Sequence, residues 1–164
     1  MSFDQTKSFS LYVAVSFWES NIVALLDIKH GLQIKTESAP LPALPRSILL
    51  HNFGSGNNKK EPDFQPYVVA GLADGNVACV AFRSEELRDH KLFSLGTAPV
   101  SLSGWEIEGR RSVFAAGSRS AVFYWDRQRL RQSPVMLKVF TLTFSHTVRL
   151  LNPGFNRAQP LVQA

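Results

Sequence analysis

Residues 67–82 read YVVAGLADGNVACVAF. Two apolar runs rich in Val and Ala flank a short polar turn. The runs are apolar on both faces: in an extended chain Val68 and Ala70 point one way, Val69 and Gly71 the other. A strand with one face in water alternates apolar with polar residues, so this one belongs between two packed layers. Asp74-Gly75 is a two-residue hairpin signal, because a primed turn needs positive φ and Gly tolerates it.

The same unit occurs twice more, as LYVAVSFWESNIVALL at 11–26 and SVFAAGSRSAVFYW at 112–125. The offset is 55 residues from Tyr12 to Tyr67 and 45 from Val68 to Val113. A repeat of about 40–50 residues built of short strands indicates β-propeller blades. Blades stack face against face, which buries their inner strands twice and puts Ala and Gly where blades crowd the central channel. The expected fold is all-β: a partial β-propeller of about two to three four-stranded antiparallel blades.

Working outward, the first blade covers 11–38, with a hairpin of 11–17 and 22–28 and an outer strand at 32–35. APLPALP at 39–45 then crosses over, its prolines excluding helix and central strand. Pro42 and Pro45 have PxxP spacing, but a connector between blades is the simpler reading. The second blade covers 46–95. Its strands are 47–53, 67–72, 76–82 and 91–95, with a long polar loop at 54–66 and a polar turn at 85–90. The third covers 97–138, with strands at 100–106, 112–116, 121–126 and 135–138. Together these make residues 1–138 a partial propeller. Residues 139–164 are a divergent strand, in which Phe140, Leu142 and Phe144 alternate with Thr141, Thr143 and Ser145, followed by a tail. An open arc of this size leaves apolar faces without partners.

Composition agrees with a folded domain. The chain has 164 residues, 45% hydrophobic and 19% charged, which favours a core over disorder. No apolar run is long enough to span a membrane, and MSFDQTKSFS does not read as a secretory signal. Cys79 is the single cysteine and lies in an apolar strand, so it reads as a small buried hydrophobe. With no disulfide framework, the expected compartment is cytosol or nucleus.

Charge is uneven. Residues 1–108 carry 9 basic and 12 acidic residues, net −3; residues 109–164 carry 9 basic residues and Asp126, net +8. Arg110, Arg111, Arg119, Arg127, Arg129 and Arg131 dominate the second part. Such a segment can track phosphates. The competing readings are a solvated rim of turn residues and a surface for an acidic protein. Phe123, Tyr124 and Trp125 fall in a strand expected to be buried, so any nucleic-acid contact is expected to be weak and without sequence preference.

Signals for catalysis are poor. No G-x-S-x-G, Walker lysine loop, H-E-x-x-H or C-x-x-C occurs. His30, His51, His90 and His146 are scattered without ligand spacing. Glu85-Glu86 and the pair Glu106 and Glu108 read as solvated charge, the latter near Arg110 and Arg111. Gly54-Ser55-Gly56 lacks the lysine and helix of a phosphate loop. A binding or scaffold role without catalytic residues, metal, cofactor or small-molecule substrate follows; partner-contact residues are not legible.

Several short motifs occur in order: AVSF before Trp18, Pro45-Arg46-Ser47-Ile48-Leu49, Leu72-x-Asp74-Gly75 and Leu87-x-Asp89-x-Lys91. They continue with Leu95-Gly96-Thr97-x-Pro99, Val113-Phe114-Ala115, Ser118-Arg119 and Val135-x-Leu137-Lys138. From Tyr12 to Lys138 the chain resembles the multi-propeller family of damage-specific DNA-binding protein 1. Relatives of that family are the large cleavage and polyadenylation factor subunit and splicing factor 3b subunit 3. The resemblance implies a fragment of the middle of three seven-bladed propellers. It implies a nuclear adaptor, present in the cytoplasm as well, that joins a cullin 4-type scaffold to substrate receptors in DNA repair and protein turnover. The alternative it implies is an RNA-processing propeller subunit that binds nucleic acid. The motifs stop at Lys138, which suggests a truncated or divergent end.

Overall fold

The computed structural model describes residue 3 and residues 9–55, 63–107 and 110–136. These residues form three antiparallel sheets in chain order. The first holds β1 (Tyr12–Phe17), β2 (Ile22–Asp27) and β3 (Gln33–Glu37). The second holds β4 (Pro45–Asn52), β5 (Pro66–Leu72), β6 (Asn76–Arg83) and β7 (Glu86–Ser94). The third holds β8 (Ser101–Ile107), β9 (Arg110–Ala116), β10 (Ala121–Asp126) and β11 (Arg129–Pro134). Every strand pairs with its sequence neighbour within its sheet, as in propeller blades. The described residues contain no helix. The partial propeller expected from sequence is therefore present, with the first sheet three-stranded.

The two-faced reading of 67–82 holds at residue level. Every position of β5 is buried. On one face Val68, Ala70, Ala78 and Val80 join Tyr12, Val23 and Leu25 of the first sheet. On the other, Val69, Val77, Cys79 and Ala81 join Val113, Ala115 and Phe123 of the third. A fully buried Val, Leu or Phe contributes roughly 1.5–3 kcal/mol. Rim contacts such as Lys35 Nζ to Glu85 Oε2, 2.6 Å and exposed, are screened by water and contribute little. Apolar faces hold the sheets together.

The connectors obey a repeat that is clearer in space than in sequence. Leu41 N–H donates to the Asn21 carbonyl at 2.8 Å, and Leu95 N–H donates to the Gly75 carbonyl at 2.9 Å. Both donor and acceptor are displaced by 54 residues, and Pro45 and Pro99 share that offset. The turn in 18–21 is one residue longer than that in 73–75, which turns the offset of 55 seen at the tyrosines into 54. Val135 N–H repeats the contact with the Ser120 carbonyl at 2.9 Å. Each sheet thus ties the exit of its outer strand to the turn of its central hairpin. Around Gly96 the tie is doubled: Ser118 Oγ accepts from Thr97 N–H at 3.2 Å and Ala98 N–H at 2.9 Å. Three sequence motifs, around Gly75, Gly96 and Ser118, therefore meet at one junction.

Four expectations require correction. The Asp74-Gly75 hairpin closes through three residues, 73–75, and only Gly75 has positive φ, at 88°. This is a turn completed by a left-handed glycine, not a two-residue primed turn. The polar turn expected at 85–90 is only Ser84-Glu85, with φ of 49° and 65°. Strand β7 starts at Glu86 and runs on, bulged where Asp89 has φ 52° and the pairing shifts between Cys79 and Ala81. The outer strand of the third sheet is Arg129–Pro134 rather than 135–138, because Arg127-Gln128, at φ 46° and 61°, turn the chain at once. Leu137 and Lys138 lie outside the described residues, as do the strand expected after Lys138 and the tail. Pro45 belongs to β4 as its first residue, a position that needs no N–H for the ladder. Gly71 lies against the connector into the third sheet: a Cβ there would sit 2.4 Å from the Val100 carbonyl oxygen.

Gly75→Ala should destabilise the chain by at least about 2 kcal/mol, since the new Cβ combines positive φ with an approach of 2.1 Å to the Gly96 carbonyl oxygen. Gln128→Gly should instead be neutral or stabilising by up to about 1 kcal/mol, by relieving a left-handed non-glycine residue. Urea unfolding of both variants checks the pair, and equal effects would refute the turn assignments.

Candidate docking surfaces

The outer faces of the first and third sheets have no covering layer among the described residues. In the first, Val13, Leu26 and Ile34 form one cross-strand row. Val13 is 39% exposed, Ile34 54%, and Phe17 in the same strand as Val13 is 40% exposed. In the third, Trp105 is 47% exposed and its ring lies 6.5 Å from that of Phe114. Phe114 pairs with Val122, and Ser112 with Tyr124, on the same face. Apolar rows of this kind are surfaces made to be covered.

Between the second and third sheets a cleft of about 630 Å³ opens at the end where β4 leaves its sheet and β9 enters its own. Phe53, Ser55 and Asp63 line one wall; Arg110, Arg111 and Ser112, with Tyr124, Trp125 and Asp126, line the other. The first wall is pinned by Asn52, whose Oδ1 accepts from Gly54 N–H at 3.1 Å and Gln65 N–H at 2.9 Å. Ser55 N–H donates to Asp63 Oδ2 at 3.0 Å, and the Ser55 hydroxyl bonds the same oxygen. The aromatic base is a chain of tilted rings. Phe53 and Tyr67 lie 5.5 Å apart, Tyr67 and Trp125 6.1 Å.

Arg111 bridges the walls. Its Nη1 donates to the Gly54 carbonyl at 2.9 Å, and its Nε lies 3.4 Å from Glu106 Oε2. It is buried, because on β9 it shares a face with Val113 and Ala115, which pack on the second sheet. Of the competing readings of these arginines, the solvated rim thus fails at Arg111. The alternation Arg111, Val113, Ala115 carried the signal in sequence. The burial expected for the neighbouring aromatics holds for Phe123, whereas Tyr124 and Trp125 are only half-buried. Arg131 Nε pairs with Asp126 Oδ2 at 2.9 Å. Arg110, Arg119, Arg127 and Arg129 are exposed and pair with no carboxylate among the described residues.

The remaining residues singled out from sequence are dispersed. Cys79 is fully buried, and burial pushes its thiol well up from the ordinary range. His30 Nδ1 lies 2.8 Å from Asp27 Oδ2, and that hydrogen bond lowers the Asp27 carboxyl. Glu85 meets Lys35, and Glu86 meets Arg88. His90 lies in the exposed part of β7. Glu108, Gly56 and His146 lie outside the described residues. No group of three or more His, Cys, Asp or Glu side chains is arranged to hold a metal among the described residues. His51, by contrast, is buried beside Phe53, ring centroids 4.7 Å apart, and its Nε2 has no hydrogen-bond partner among the described residues. Burial first, then the Arg111 charge, lowers its pKa from 6.5 to about 4.

A family model, the RSE1/DDB1/CPSF1 second beta-propeller, matches residues 2–149. Over 136 residues the chain is 29% identical to DNA damage-binding protein 1 of Oryza sativa subsp. japonica, which covers 82% of this chain and 12% of the relative. It is 30% identical to DNA damage-binding protein 1b of Arabidopsis thaliana over 133 residues, 80% of this chain and 11% of the relative. The Drosophila melanogaster DNA damage-binding protein 1 is 29% identical over 137 residues, 82% and 11%. The chain therefore spans about one eighth of the length of the relatives it matches. The family match continues past Lys138, further than the short motifs reach.

A histidine buried in its neutral form makes stability depend on pH. The unfolded chain takes up this proton near pH 6.5 and the folded chain only near 4. Stability is full above 6.5 and falls as pH drops from 6.5 to about 4, by up to about 3 kcal/mol. Thermal melts at pH 7 and pH 5 should show that decline in the wild type and a smaller one in His51→Phe; equal slopes would show that His51 does not carry it.

Proposed function

The chain belongs to the RSE1/DDB1/CPSF1 second beta-propeller family, and from that membership we propose that it works as a protein-docking segment of a cullin 4-type ubiquitin-ligase adaptor. A scaffold of the DNA damage-binding protein 1 type is the coarse reading that the family gives. The observation that supports the finer one is that residues spanning about four fifths of the chain align with proteins carrying that name, in plants and in an insect. The chemistry is in keeping with this. The described surface offers apolar sheet faces and an arginine-rich edge, and these recognise partners by area and charge rather than by turning over a substrate. In this reading the chain acts in the nucleus and cytoplasm, holding cullin on one side and substrate receptors through the rest of a larger assembly.

The second reading is an RNA-processing propeller subunit. It is favoured by the family itself, whose description places RSE1 and CPSF1 beside DDB1, and by the exposed arginines, which can neutralise phosphates. Both readings use the fold as a platform and neither requires a catalytic group.

The tagged chain, incubated in nuclear extract, should retain cullin 4 and no splicing or polyadenylation subunits. Recovery of RNA-processing subunits without cullin would make the second reading correct.

A further inference from the structure

The cleft between the second and third sheets is not used by the apolar sheet faces discussed above. Its walls come from two sheets and are fixed relative to each other by the Arg111–Gly54 hydrogen bond. A site held open in this way loses little ordering free energy when it is filled. Half-buried Trp125 and buried Phe53 give it an apolar base.

Its charge has a definite sign once internal pairs are removed. Asp126 is paired with Arg131 and Arg111 with Glu106, while Asp63 accepts from Ser55 and keeps its negative charge. Arg110 lines the cleft without a carboxylate partner among the described residues. Arg127 and Arg129, equally without one, belong to the hairpin that delivers Asp126, and Arg129 stands opposite Asp126 in the register. With Arg110, Arg127 and Arg129 against Asp63, the net charge around the opening is positive. We propose that this cleft docks an acidic, extended peptide segment of a partner protein. One apolar side chain of the peptide lies against Phe53 and Trp125, and its carboxylates meet Arg110 and the Arg127–Arg129 hairpin.

A nucleic-acid strand fits the same place less well. Asp63 and Asp126 stand on opposite walls, where the backbone N–H groups of an extended peptide can donate to them, whereas a DNA backbone carries no donor. Stacking of bases needs open aromatic faces, and the Trp125 ring is already packed towards Tyr67. The inference rests on the docking-scaffold reading only in taking a protein as the partner.

The test is fluorescence anisotropy on the whole chain with three labelled probes. They are a peptide of about twelve Asp and Glu residues around a central Leu, its Lys counterpart, and an oligothymidine of similar length. The acidic peptide should bind saturably, and Arg110→Glu should weaken it at least about fivefold. Arg119→Glu, at the opposite end of β9 and β10, should leave it unchanged, with both variants folded by circular dichroism. Equal binding of the Lys peptide, or preferential oligothymidine binding lost in Arg110→Glu, would overturn the proposal. So would the absence of saturation below about 1 mM, or an equal loss in Arg119→Glu. Cullin recovery without peptide binding sinks this inference alone, and peptide binding without cullin recovery sinks the adaptor reading alone.

Discussion

The structure depends on one constraint: the two central strands of the middle sheet have no polar face. Every residue of β5 is buried, and the facing part of β6 is buried too. Neither strand can border water on either side. Two further sheets must therefore lie against it, and the arc of three is the smallest arrangement that satisfies β5. The cost appears at the ends, where the outer faces of the first and third sheets keep apolar rows of their own. Propeller geometry passes the same requirement from blade to blade until a ring closes.

The connectors convert that packing into a fixed stagger. An N–H at the exit of each outer strand finds a carbonyl in the turn of the central hairpin, and Ser118 adds two bonds at the junction of the second and third sheets. These bonds satisfy backbone groups that a loop between two sheets would otherwise bury unpaired. They also position the cleft, because the same offset brings the start of β9 opposite the end of β4.

Much of the fold was legible because strand faces are local. The pattern of 67–82 names its own burial, and its copies at 11–26 and 112–125 name the repeat. The turns were less legible because their signal is weak. Ser84-Glu85 and Arg127-Gln128 adopt positive φ without Gly or Asn, so nothing in the residue types announces a tight hairpin, and the apolar pattern alone puts these outer strands too late in the chain. Gly75 is legible as a turn glycine, but the turn type depends on φ values at its neighbours. The docking cleft was least legible. The Arg111 partner on the Gly54 carbonyl is 57 residues away, and charge in a basic segment reads as solvated unless strand parity is followed through it. The lone burial of His51 is equally a tertiary fact, since its neighbours Phe53 and Arg111 come from different sheets.

The outer strands set the direction in which such molecules can associate. Strand β7 carries Glu86, Arg88, Asp89, His90 and Lys91 with a kink at Asp89, β3 carries Lys35 and Glu37, and β11 carries Arg129 and Arg131. Charged, bent edges resist the strand-by-strand addition that builds cross-β fibrils. Association is left to the broad end faces, which lie along the ring direction. Excess chain in a cell should thus accumulate as short stacks or amorphous clusters that chaperones can dissolve, rather than as amyloid.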